Sequence, residues 1–325
     1  MLFLSRREVE KLLDPDQLID AVGRAMAELS AGRVSMPARV AAMVPERNGL
    51  LGAMPAALPA AGALTAKLVS VFPRNVDLPT HQAVIVAFDP ATGTPAALMD
   101  ATYITAMRTA AGSALSARLL ARADAAVLAI VGTGVQARAH GLMIPRVRRI
   151  SRGRVAGRNA AKAAALAGEL TEATGIPFQA APSLAAALSG ADIACATTHS
   201  TEPMLRREWI APGTHLTSVG VTAEGREVDA QTMADALVVV ESRAASLAPY
   251  PSGANDLAWA IRDGALRAES IVELGELLNG TKTGRTFAAQ ITLYKSVGVA
   301  VQDAAAAALV LQAARKAGAG VELQL

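Results

Sequence analysis

The sequence has little of several features that would place it in other classes of protein. Its single cysteine, Cys195, excludes an intramolecular disulfide and is typical of a protein from a reducing compartment. Aromatic residues make up only 3% of the chain and the formal net charge is +3, so the basic, aromatic-rich surface of a nucleic-acid-binding protein is not predicted. Charged residues begin at position 6, and the longest uncharged run, 49–66, is interrupted by prolines and glycines. We therefore expect a cytoplasmic protein that binds neither nucleic acid nor membrane.

Hydrophobic residues make up 52% of the 325 residues, which is enough for the cores of about two domains. Capping signals at Ser5 and at Asp14 predict a short and a longer helix near the amino terminus. Strand patterns follow, and then an amphipathic helix is predicted over 102–122. Beyond Asp124, apolar strands alternate with helices, which is typical of a largely parallel α/β sheet.

A glycine-containing loop, Gly132-x-Gly134-x-x-Ala137, directly follows the apolar strand 126–131 and begins a helix. The first glycine permits a tight turn, the second lets the backbone approach a pyrophosphate, and the alanine lets the helix pack closely on the strand. The amino terminus of the helix offers unpaired N–H groups and a positive dipole to the phosphates. This unit predicts a dinucleotide-binding site with Gly132 and Gly134 among its contacts.

The alternating pattern stops near residue 287, where a strand, a glycine-containing turn and a long helix follow. We expect this tail to pack back on the amino-terminal part, so that one domain is discontinuous. The predicted fold is therefore α/β, with a Rossmann-type, doubly wound dinucleotide-binding domain over 123–289. It is inserted in an α+β domain made of 1–122 plus 290–325.

The second strand of the dinucleotide-binding unit ends at Gly157, and Arg158 follows it. Sites for NAD usually carry a carboxylate here, which accepts a hydrogen bond from the ribose 2′-hydroxyl. This chain has none at that point, and an arginine can pair with a 2′-phosphate through two hydrogen bonds. Arg158 therefore favours NADP(H) over NAD(H), although it is one of six arginines in 145–158, most of which must face water.

Several motifs spread over the whole chain are specific when taken together. They are SMPAR (35–39), GALTAKLVSVFPRN (62–75), LPTHQAVIVAFDPATGTPAALMD (78–100), ITAMRTAAGSALSA (104–117), VGTGVQARAH (131–140), LTSVG (216–220) and ITLYKSVGVAVQD (291–303). With these motifs the chain resembles the ornithine cyclodeaminase/mu-crystallin family. The resemblance implies an NAD(P)-dependent enzyme that forms a homodimer. It also implies that the discontinuous domain binds the substrate and carries the dimer interface.

The resemblance assigns residues that hold the substrate. Arg108 matches the family arginine that binds the substrate α-carboxylate near the nicotinamide, and a guanidinium can do so through two parallel hydrogen bonds. Arg39 matches a second arginine on the substrate side. Lys67 matches a lysine of the substrate pocket, which can contact the carboxylate or supply a proton to an amine or imine nitrogen. Lys67 and Arg108 are the expected catalytic residues, and Val297 is expected to touch the substrate.

The same resemblance places further residues along the cofactor. These are Thr80, Arg108, Val135, Gln136, Thr197, Thr217, Ser218, Val219 and Ser296. Thr197 follows a strand of the alternating region, and ligands of such sheets bind at the carboxyl ends of the strands.

No catalytic metal is predicted. The histidines lack the spacing of a metal site; they are His81, His140, His199 and His215. Cys195 is interpreted as part of a strand core. His81 lies beside Thr80 and is a secondary candidate for substrate contact, and Asp303 is interpreted as a helix-start residue rather than a catalytic one.

One position departs from the cyclodeaminases that the chain resembles. Those enzymes carry an aspartate that acts as acid and base on the amino groups of ornithine, and this chain has Thr222 at that position. A threonine hydroxyl does not titrate near neutral pH, so Thr222 is expected to contact substrate without this role. Glu224 and Asp229 are the alternatives for the missing acid if the loop is shifted.

The favoured function is that of an NAD(P)H-dependent reductase of small cyclic imino acids, such as Δ1-pyrroline-2-carboxylate or Δ1-piperideine-2-carboxylate. The alternatives are an ornithine cyclodeaminase, an amino-acid or opine-type dehydrogenase, and an NADP-dependent small-molecule binding protein of the mu-crystallin type. Intact Arg108 and Lys67 favour an enzyme over a binding protein.

Overall fold

The computed structural model describes residues 1–222 and 224–324. Its strands are, in chain order, β1 (Leu2–Leu4), β2 (Val40–Val44), β3 (Gly49–Leu58), β4 (Ala63–Val71), β5 (His81–Phe88), β6 (Pro95–Asp100), β7 (Val127–Val131), β8 (Arg152–Ala156), β9 (Phe178–Ala180), β10 (Ile193–Ala196), β11 (His215–Ser218), β12 (Ala236–Val240), β13 (Val272–Glu273), β14 (Ile291–Lys295) and β15 (Val321–Glu322). Its α-helices are α1 (Arg6–Leu12), α2 (Pro15–Ser30), α3 (Thr102–Leu120), α4 (Val135–Met143), α5 (Ala160–Thr174), α6 (Leu184–Leu188), α7 (Ala230–Asp235), α8 (Arg243–Ser246), α9 (Asn255–Arg262), α10 (Leu274–Leu278) and α11 (Ala300–Ala317). Short 3-10 turns lie at Pro45–Arg47, Pro59–Ala61, Ile144–Arg146, Arg207–Trp209 and Ala268–Ser270.

The chain divides into two compact units, Met1–Arg108 with Gly298–Leu325, and Thr109–Val297. The division predicted from the sequence differs at both boundaries. The first boundary lies after Arg108 and therefore inside α3, which continues without interruption to Leu120. The second falls after β14 rather than before it, because β14 pairs with both β11 and β12 in the sheet of the second unit.

The first unit is built on a seven-stranded sheet of order β15-β1-β6-β5-β4-β3-β2. Its neighbours are antiparallel except for β1 beside β6. Helix α11 packs against α2, β3 and β4. The Asp14 side chain caps α2 by accepting a hydrogen bond from the Gln17 amide, and Pro15 occupies the first turn, as the sequence predicts.

The cross-strand register of this sheet places one lysine among apolar side chains. Met54, Lys67, Ile85 and Met99 lie side by side on β3 to β6, and all four are buried. A lysine can be buried in this way only if its charge is paired or its proton is lost. The position of Lys67 therefore calls for a nearby acid.

The second unit is built on an eight-stranded sheet of order β13-β12-β14-β11-β10-β7-β8-β9. All of its pairings are parallel. The chain runs outward from β7 through β8 to β9 and then returns to place β10 on the other side of β7. This reversal of strand order is the point at which such sheets open to a ligand, at the carboxyl ends of the strands.

The second unit buries a continuous apolar core that includes Leu216, Val238, Val240 and Leu293 from three neighbouring strands. This core fixes the ends of the strands, where the candidate cofactor residues lie. Among the described residues, no helix combines the length and apolar character that a bilayer span requires.

Candidate functional site

A buried ion-pair cluster lies in the first unit. Lys67 on β4 places its Nζ atom 2.8 Å from Oδ2 of Asp303, which lies in the first turn of α11. Nε of Arg108, on α3, lies 3.0 Å from the other carboxylate oxygen, Oδ1 of Asp303. Lys67 and Asp303 are each 1% exposed and Arg108 is 5% exposed. One carboxylate therefore orients two buried cations.

Two further contacts hold the arginines of this cluster. The Arg108 guanidinium donates to Oε1 of Gln302 at 3.1 Å, and the Arg39 guanidinium donates to the carbonyl of Gly298 at 2.7 Å. Gly298 has a φ of +71°, and a Cβ atom at this residue would lie 2.4 Å from Arg108. Only glycine therefore fits beside Arg108 without displacing it. The structure thus brings the three predicted substrate residues of the first unit around the start of α11.

Burial and charge change the titration of the cluster. Burial lowers the pKa of Lys67 to about 8, although the Asp303 carboxylate acts in the opposite direction. Burial disfavours the charged form of Asp303, but Arg108 and Lys67 outweigh this, and the pKa of Asp303 is lowered. Half-buried His81 is also affected, since burial and then the charges of Lys67 and Arg108 lower its pKa to about 4. Near neutral pH His81 is therefore a neutral imidazole.

The glycine loop in the second unit fits a dinucleotide. Gly132 has a φ of +125°, and a Cβ atom there would lie 2.4 Å from Oγ1 of Thr197. A larger residue could not make this close approach of β7 to the end of β10. A Cβ atom at Gly134 would meet no described atom within 4 Å, so there is open space at the amino terminus of α4. The first amide groups of that helix have no intrahelical partner and suit a pyrophosphate.

The other predicted residues of this loop lie at the start of α4 and after the end of β8. Val135 is the first residue of α4 and is exposed, and Gln136 follows it. The end of β8 continues through Gly157 into Arg158, which is exposed before α5 begins. A Cβ atom at Gly157 would lie 2.7 Å from the Thr133 side chain, so this strand end also approaches the glycine loop closely.

The remaining predicted cofactor residues of the second unit lie at neighbouring strand ends. They are Thr197 after β10, Thr217, Ser218 and Val219 at the end of β11, and Ser296 after β14. The Ser218 hydroxyl is buried and donates to Glu227 at 2.7 Å, and the Ser296 hydroxyl donates to buried Glu241. The Val297 amide donates to the same Glu241 carboxylate at 3.2 Å. The two serine hydroxyls are thus directed into the protein. Thr80 lies in the first unit, where it is exposed.

Thr222 and the nearby acid Asp229 both take part in hydrogen bonds within the protein. The Thr222 hydroxyl donates to the carbonyl of Glu224 at 2.6 Å, and Asn255 donates to the carbonyl of Thr222 at 2.8 Å. Asp229 caps α7 by accepting from the Thr232 amide at 2.8 Å, and it also accepts from the Arg207 amide at 3.0 Å. Both oxygens of Asp229 are therefore engaged in holding backbone.

Two of the four histidines, and the cysteine, are buried in the core of the second unit. His140 is buried between the Ser113 hydroxyl and the Gln136 carbonyl, and burial lowers its pKa to about 4. His215 is buried between Ser116 and Thr292, and burial lowers its pKa to about 3. Burial raises the pKa of Cys195 to about 12. Within residues 1–222 and 224–324, no group of three or more His, Cys, Asp or Glu side chains is arranged to hold a metal ion.

Sequence reasoning missed the acids that organise both units. Asp303 was interpreted as a helix-start residue; it does lie in the first turn of α11, and it also bridges Lys67 and Arg108. Glu227 and Glu241 were not considered at all, although each bonds a serine of the predicted cofactor site. A signal for Asp303 was present, because it ends the ITLYKSVGVAVQD motif on which the resemblance depended.

Comparison with known proteins identifies the family. The profile of the ornithine cyclodeaminase/mu-crystallin family matches residues 1–318. The chain belongs to this family. The family and the α/β fold predicted from the sequence are thereby confirmed. Among curated members, ketimine reductase mu-crystallin of Mus musculus is 37% identical over 322 residues, which cover 95% of this chain and 96% of that protein.

Two solved structures of the family are similar over essentially their whole length. Δ1-pyrroline-2-carboxylate reductase of Thermococcus litoralis, in complex with NADH and L-proline, has a TM-score of 0.95 and 37% identity, covering 99% of this chain and 100% of that one. An archaeal alanine dehydrogenase dimer with bound NAD has a TM-score of 0.92 and 31% identity, covering 100% of this chain and 99% of that one. These similarities support a nicotinamide dinucleotide as the cofactor of this family member.

Proposed function

We propose that the protein is an NAD(P)H-dependent reductase of small cyclic imino acids, exemplified by Δ1-pyrroline-2-carboxylate and Δ1-piperideine-2-carboxylate. The observation that carries this proposal is the buried cluster of Lys67, Asp303 and Arg108. The whole-length similarity to ketimine reductase and to Δ1-pyrroline-2-carboxylate reductase supports the same substrate class.

The charges of the cluster favour a carboxylated substrate. Asp303 faces two buried cations, Lys67 and Arg108, and half-buried Arg39 adds another positive charge close to Gly298. A substrate carboxylate would add a second negative charge beside Lys67 and Arg108, which share the single carboxylate of Asp303. The fixed guanidinium of Arg108 can hold that carboxylate in one orientation, because Asp303 and Gln302 restrain it.

Lys67 is the proposed source of the proton that the substrate nitrogen gains. When bound, a reduced nicotinamide dinucleotide supplies a hydride to the carbon of the C=N bond. Lys67, with a pKa lowered to about 8 by burial, is protonated near neutral pH and can release that proton more readily than an exposed lysine. Asp303 forms an ion pair with the ammonium group at 2.8 Å and so restrains the position of Lys67.

NADP(H) is the proposed preference over NAD(H). Arg158 is exposed directly after β8, and the segment Gly157-Arg158-Asn159 contains no carboxylate to repel a 2′-phosphate. A guanidinium in this place can pair with the phosphate, whereas the ribose hydroxyl of NAD would gain less from it. The two similar structures described above contain NADH and NAD, so the preference has to be measured on this chain.

Cyclodeamination is disfavoured by the environment of Thr222. Its hydroxyl is bonded to the Glu224 carbonyl. Of the two alternative acids, Asp229 is engaged in capping α7 and the Glu224 residue is exposed. Thr222 has no carboxylate, and that of Asp229 is already hydrogen-bonded, so neither residue balances the ammonium groups of ornithine. A cyclic imino acid brings less positive charge and does not need this acid.

A homodimer is proposed from the first unit. On the sheet face opposite Lys67, apolar side chains of β2 to β5 are exposed: Val40 by 65%, Leu51 by 49%, Leu68 by 38% and Val84 by 40%. Neighbouring apolar residues on one sheet face are typical of an interaction surface. We propose that a second copy of the chain covers this face, and the similar archaeal alanine dehydrogenase was solved as a dimer.

The experiment that tests the proposed function is a substrate comparison with purified protein. Reduced-dinucleotide absorbance is followed with Δ1-pyrroline-2-carboxylate, with Δ1-piperideine-2-carboxylate, and with pyruvate plus ammonium. Ammonia release from ornithine is measured in parallel. We expect the cyclic imino acids to have the highest kcat/KM. A higher value for pyruvate plus ammonium would indicate an amino-acid dehydrogenase, and turnover of ornithine alone would indicate a cyclodeaminase.

A further inference from the structure

A second buried charge network lies in the second unit, outside the ion-pair cluster. Nζ of Lys295, the last residue of β14, lies 3.0 Å from Oδ2 of Asp256 and donates to the Ser218 hydroxyl at 2.9 Å and to the Gly220 carbonyl at 2.6 Å. Asp256 in turn accepts from the backbone amide of Glu227 at 2.7 Å. Lys295, Asp256 and Glu227 are all buried. This network holds the Glu227 segment in one place.

The Glu227 carboxylate joins the segments that follow two neighbouring parallel strands. Its Oε1 atom accepts from the amide and from the hydroxyl of Thr198, both at 2.7 Å, just after β10. Its Oε2 atom accepts from the Ser218 hydroxyl at 2.7 Å and from the Gly220 amide at 3.0 Å, at the end of β11. Four donors from two strand ends thus converge on one side chain.

This arrangement suits a carboxylate. Each oxygen of a carboxylate accepts hydrogen bonds, whereas a glutamine of the same shape has one accepting oxygen and one donating nitrogen. In Glu227→Gln the amide nitrogen would face N–H or O–H donors of either Thr198 or Gly220. One of the two strand ends would therefore lose its anchor. Lys295 donates to the same Ser218 hydroxyl and forms an ion pair with Asp256.

The two strand ends also touch each other directly. A Cβ atom at Gly220 would lie 2.1 Å from the Thr198 carbonyl and 2.9 Å from the Glu227 carboxylate, so the space between them is full. The residues next to these anchors are Thr197 and Val219, which the family resemblance assigns to the dinucleotide site. A shift at either anchor would therefore move a proposed cofactor contact.

We infer that Glu227 is a positioning residue for the dinucleotide site, which it shapes by fixing the backbone at Thr198 and Gly220. It acts through these two segments and not by touching the reacting atoms. The inference rests on the proposed function, since it assumes that the ligand of these strand ends is a nicotinamide dinucleotide. Glu227 thereby keeps the carboxyl ends of β10 and β11 in the geometry that binds the dinucleotide.

The test compares Glu227→Gln with a matched variant at the opposite edge of the sheet. Asp192 also holds two backbone amides, those of Ala126 and Val127, both at 2.9 Å, and it pairs with Arg122. It lies at the amino ends of β7 and β10, away from the edge at which ligands bind. Asp192→Asn therefore reports the cost of weakening a similar clamp outside the site.

The measurements are the Kd of NADPH by calorimetry, the KM of NADPH, the KM of the imino acid, and hydrogen exchange of the Thr198 and Gly220 amides. For Glu227→Gln we expect the Kd and the KM of NADPH to rise about tenfold or more, because hydrogen bonds to a charged group are lost. The KM of the imino acid should stay within about twofold, and one of the two amides should exchange faster. Asp192→Asn should leave the Kd of NADPH unchanged even if its melting temperature falls.

Three outcomes would overturn the inference. They are an unchanged Kd of NADPH in Glu227→Gln, an equal rise of Kd in Asp192→Asn, and unchanged exchange of both amides. If Glu227→Gln does not fold, Thr198→Val removes one donor from the same carboxylate; a Kd raised about threefold would support the inference and an unchanged Kd would overturn it. If the unaltered protein binds no dinucleotide, the proposed function fails, while amide exchange still reports whether Glu227 holds the two strand ends.

Discussion

Nζ of Lys67 and Oδ2 of Asp303 are 2.8 Å apart, and both side chains are 1% exposed. This pair joins the middle of the sheet in the first unit to the first turn of α11. Because the same carboxylate also binds Arg108, a change at Asp303 alters both proposed catalytic residues. The pair is therefore the point at which the proposed chemistry is most sensitive to substitution.

The first prediction concerns pH. If protonated Lys67 is required, kcat should fall as the pH rises through about 8, which is the pKa of this lysine in the folded protein. Lys67→Met should remove this dependence and lower kcat by about 10² to 10⁴. Asp303→Asn should shift the fall in activity to lower pH, because the carboxylate raises the pKa of Lys67. Asp14→Asn, which alters only an exposed helix cap, serves as the control. An identical pH profile for the unaltered protein and Asp303→Asn would contradict this account.

Stability should depend on pH in the opposite direction. Burial lowers the pKa of Lys67 from its ordinary value of 10.5 to about 8, so between these values the unfolded chain binds a proton that the folded chain has released. The contribution of Lys67 to the free energy of unfolding therefore rises with pH across this interval. Urea titrations of the unaltered protein and of Lys67→Met should show this rise only in the unaltered protein. The same rise in both would mean that another group causes it.

Gly298 offers a test of how Arg108 is held. In Gly298→Ala the new Cβ would lie 2.4 Å from the Arg108 guanidinium, in addition to the backbone strain at a φ of +71°. Gly93→Ala is a matched control, since Gly93 has a φ of +73° and its Cβ would meet no described atom within 4 Å. Both variants should lose about 1–2 kcal/mol of stability from the backbone. Only Gly298→Ala should raise the KM of the imino acid strongly, and equal KM values would show that Arg108 does not position the substrate.

These contacts indicate what the sequence could and could not predict. The glycine loop at Gly132 was predictable because its strand, turn and helix are consecutive in the chain. The roles proposed for Arg39, Lys67 and Arg108 depended on resemblance, since an isolated basic residue carries no local signal. Asp303 is assigned from the sequence to the helix start, because an acid in a first helical turn has a sufficient local explanation, whereas its partner Arg108 lies 195 positions away.

The same limit applies to the strand ends of the second unit. The alternation of strands and helices predicted a parallel sheet, and with it the edge that bears Thr197 and Ser218. It did not predict that the Ser218 hydroxyl points inward to Glu227, because that contact depends on how the following loop folds back. The unit boundary within α3 was not predicted either, since a continuous helical pattern carries no signal of a boundary.

The cofactor preference is tested at the end of β8. Arg158→Asp should lower the ratio of NADPH to NADH affinity by at least about tenfold, because a carboxylate repels the 2′-phosphate and accepts from the ribose hydroxyl. Arg152→Asp changes an exposed arginine at the amino end of the same strand and should leave the ratio unchanged. Fluorescence titrations of the unaltered protein and the two variants with both dinucleotides give six dissociation constants. Equal affinities of the unaltered protein for NADPH and NADH would argue against a role for Arg158 in selection.

The dimer is tested on the exposed sheet face. Leu68→Asp places a charge among the apolar side chains of that face, next to Val84 on the neighbouring strand, and should shift the protein to a monomer in analytical ultracentrifugation. Val76→Asp is the control, because Val76 is 92% exposed in a loop outside the sheet. If Leu68→Asp keeps the oligomeric state of the unaltered protein, the second copy does not bind on this face.

The most direct test of the central claim is the fate of the transferred hydrogen. The protein is incubated with Δ1-pyrroline-2-carboxylate and with reduced dinucleotide that carries deuterium at the transferable position, and the product is analysed by mass spectrometry. The proposed reduction predicts proline with one deuterium at Cα and oxidation of one dinucleotide for each proline formed. Proline without deuterium at Cα, or no formation of proline with oxidation of the dinucleotide, would contradict it.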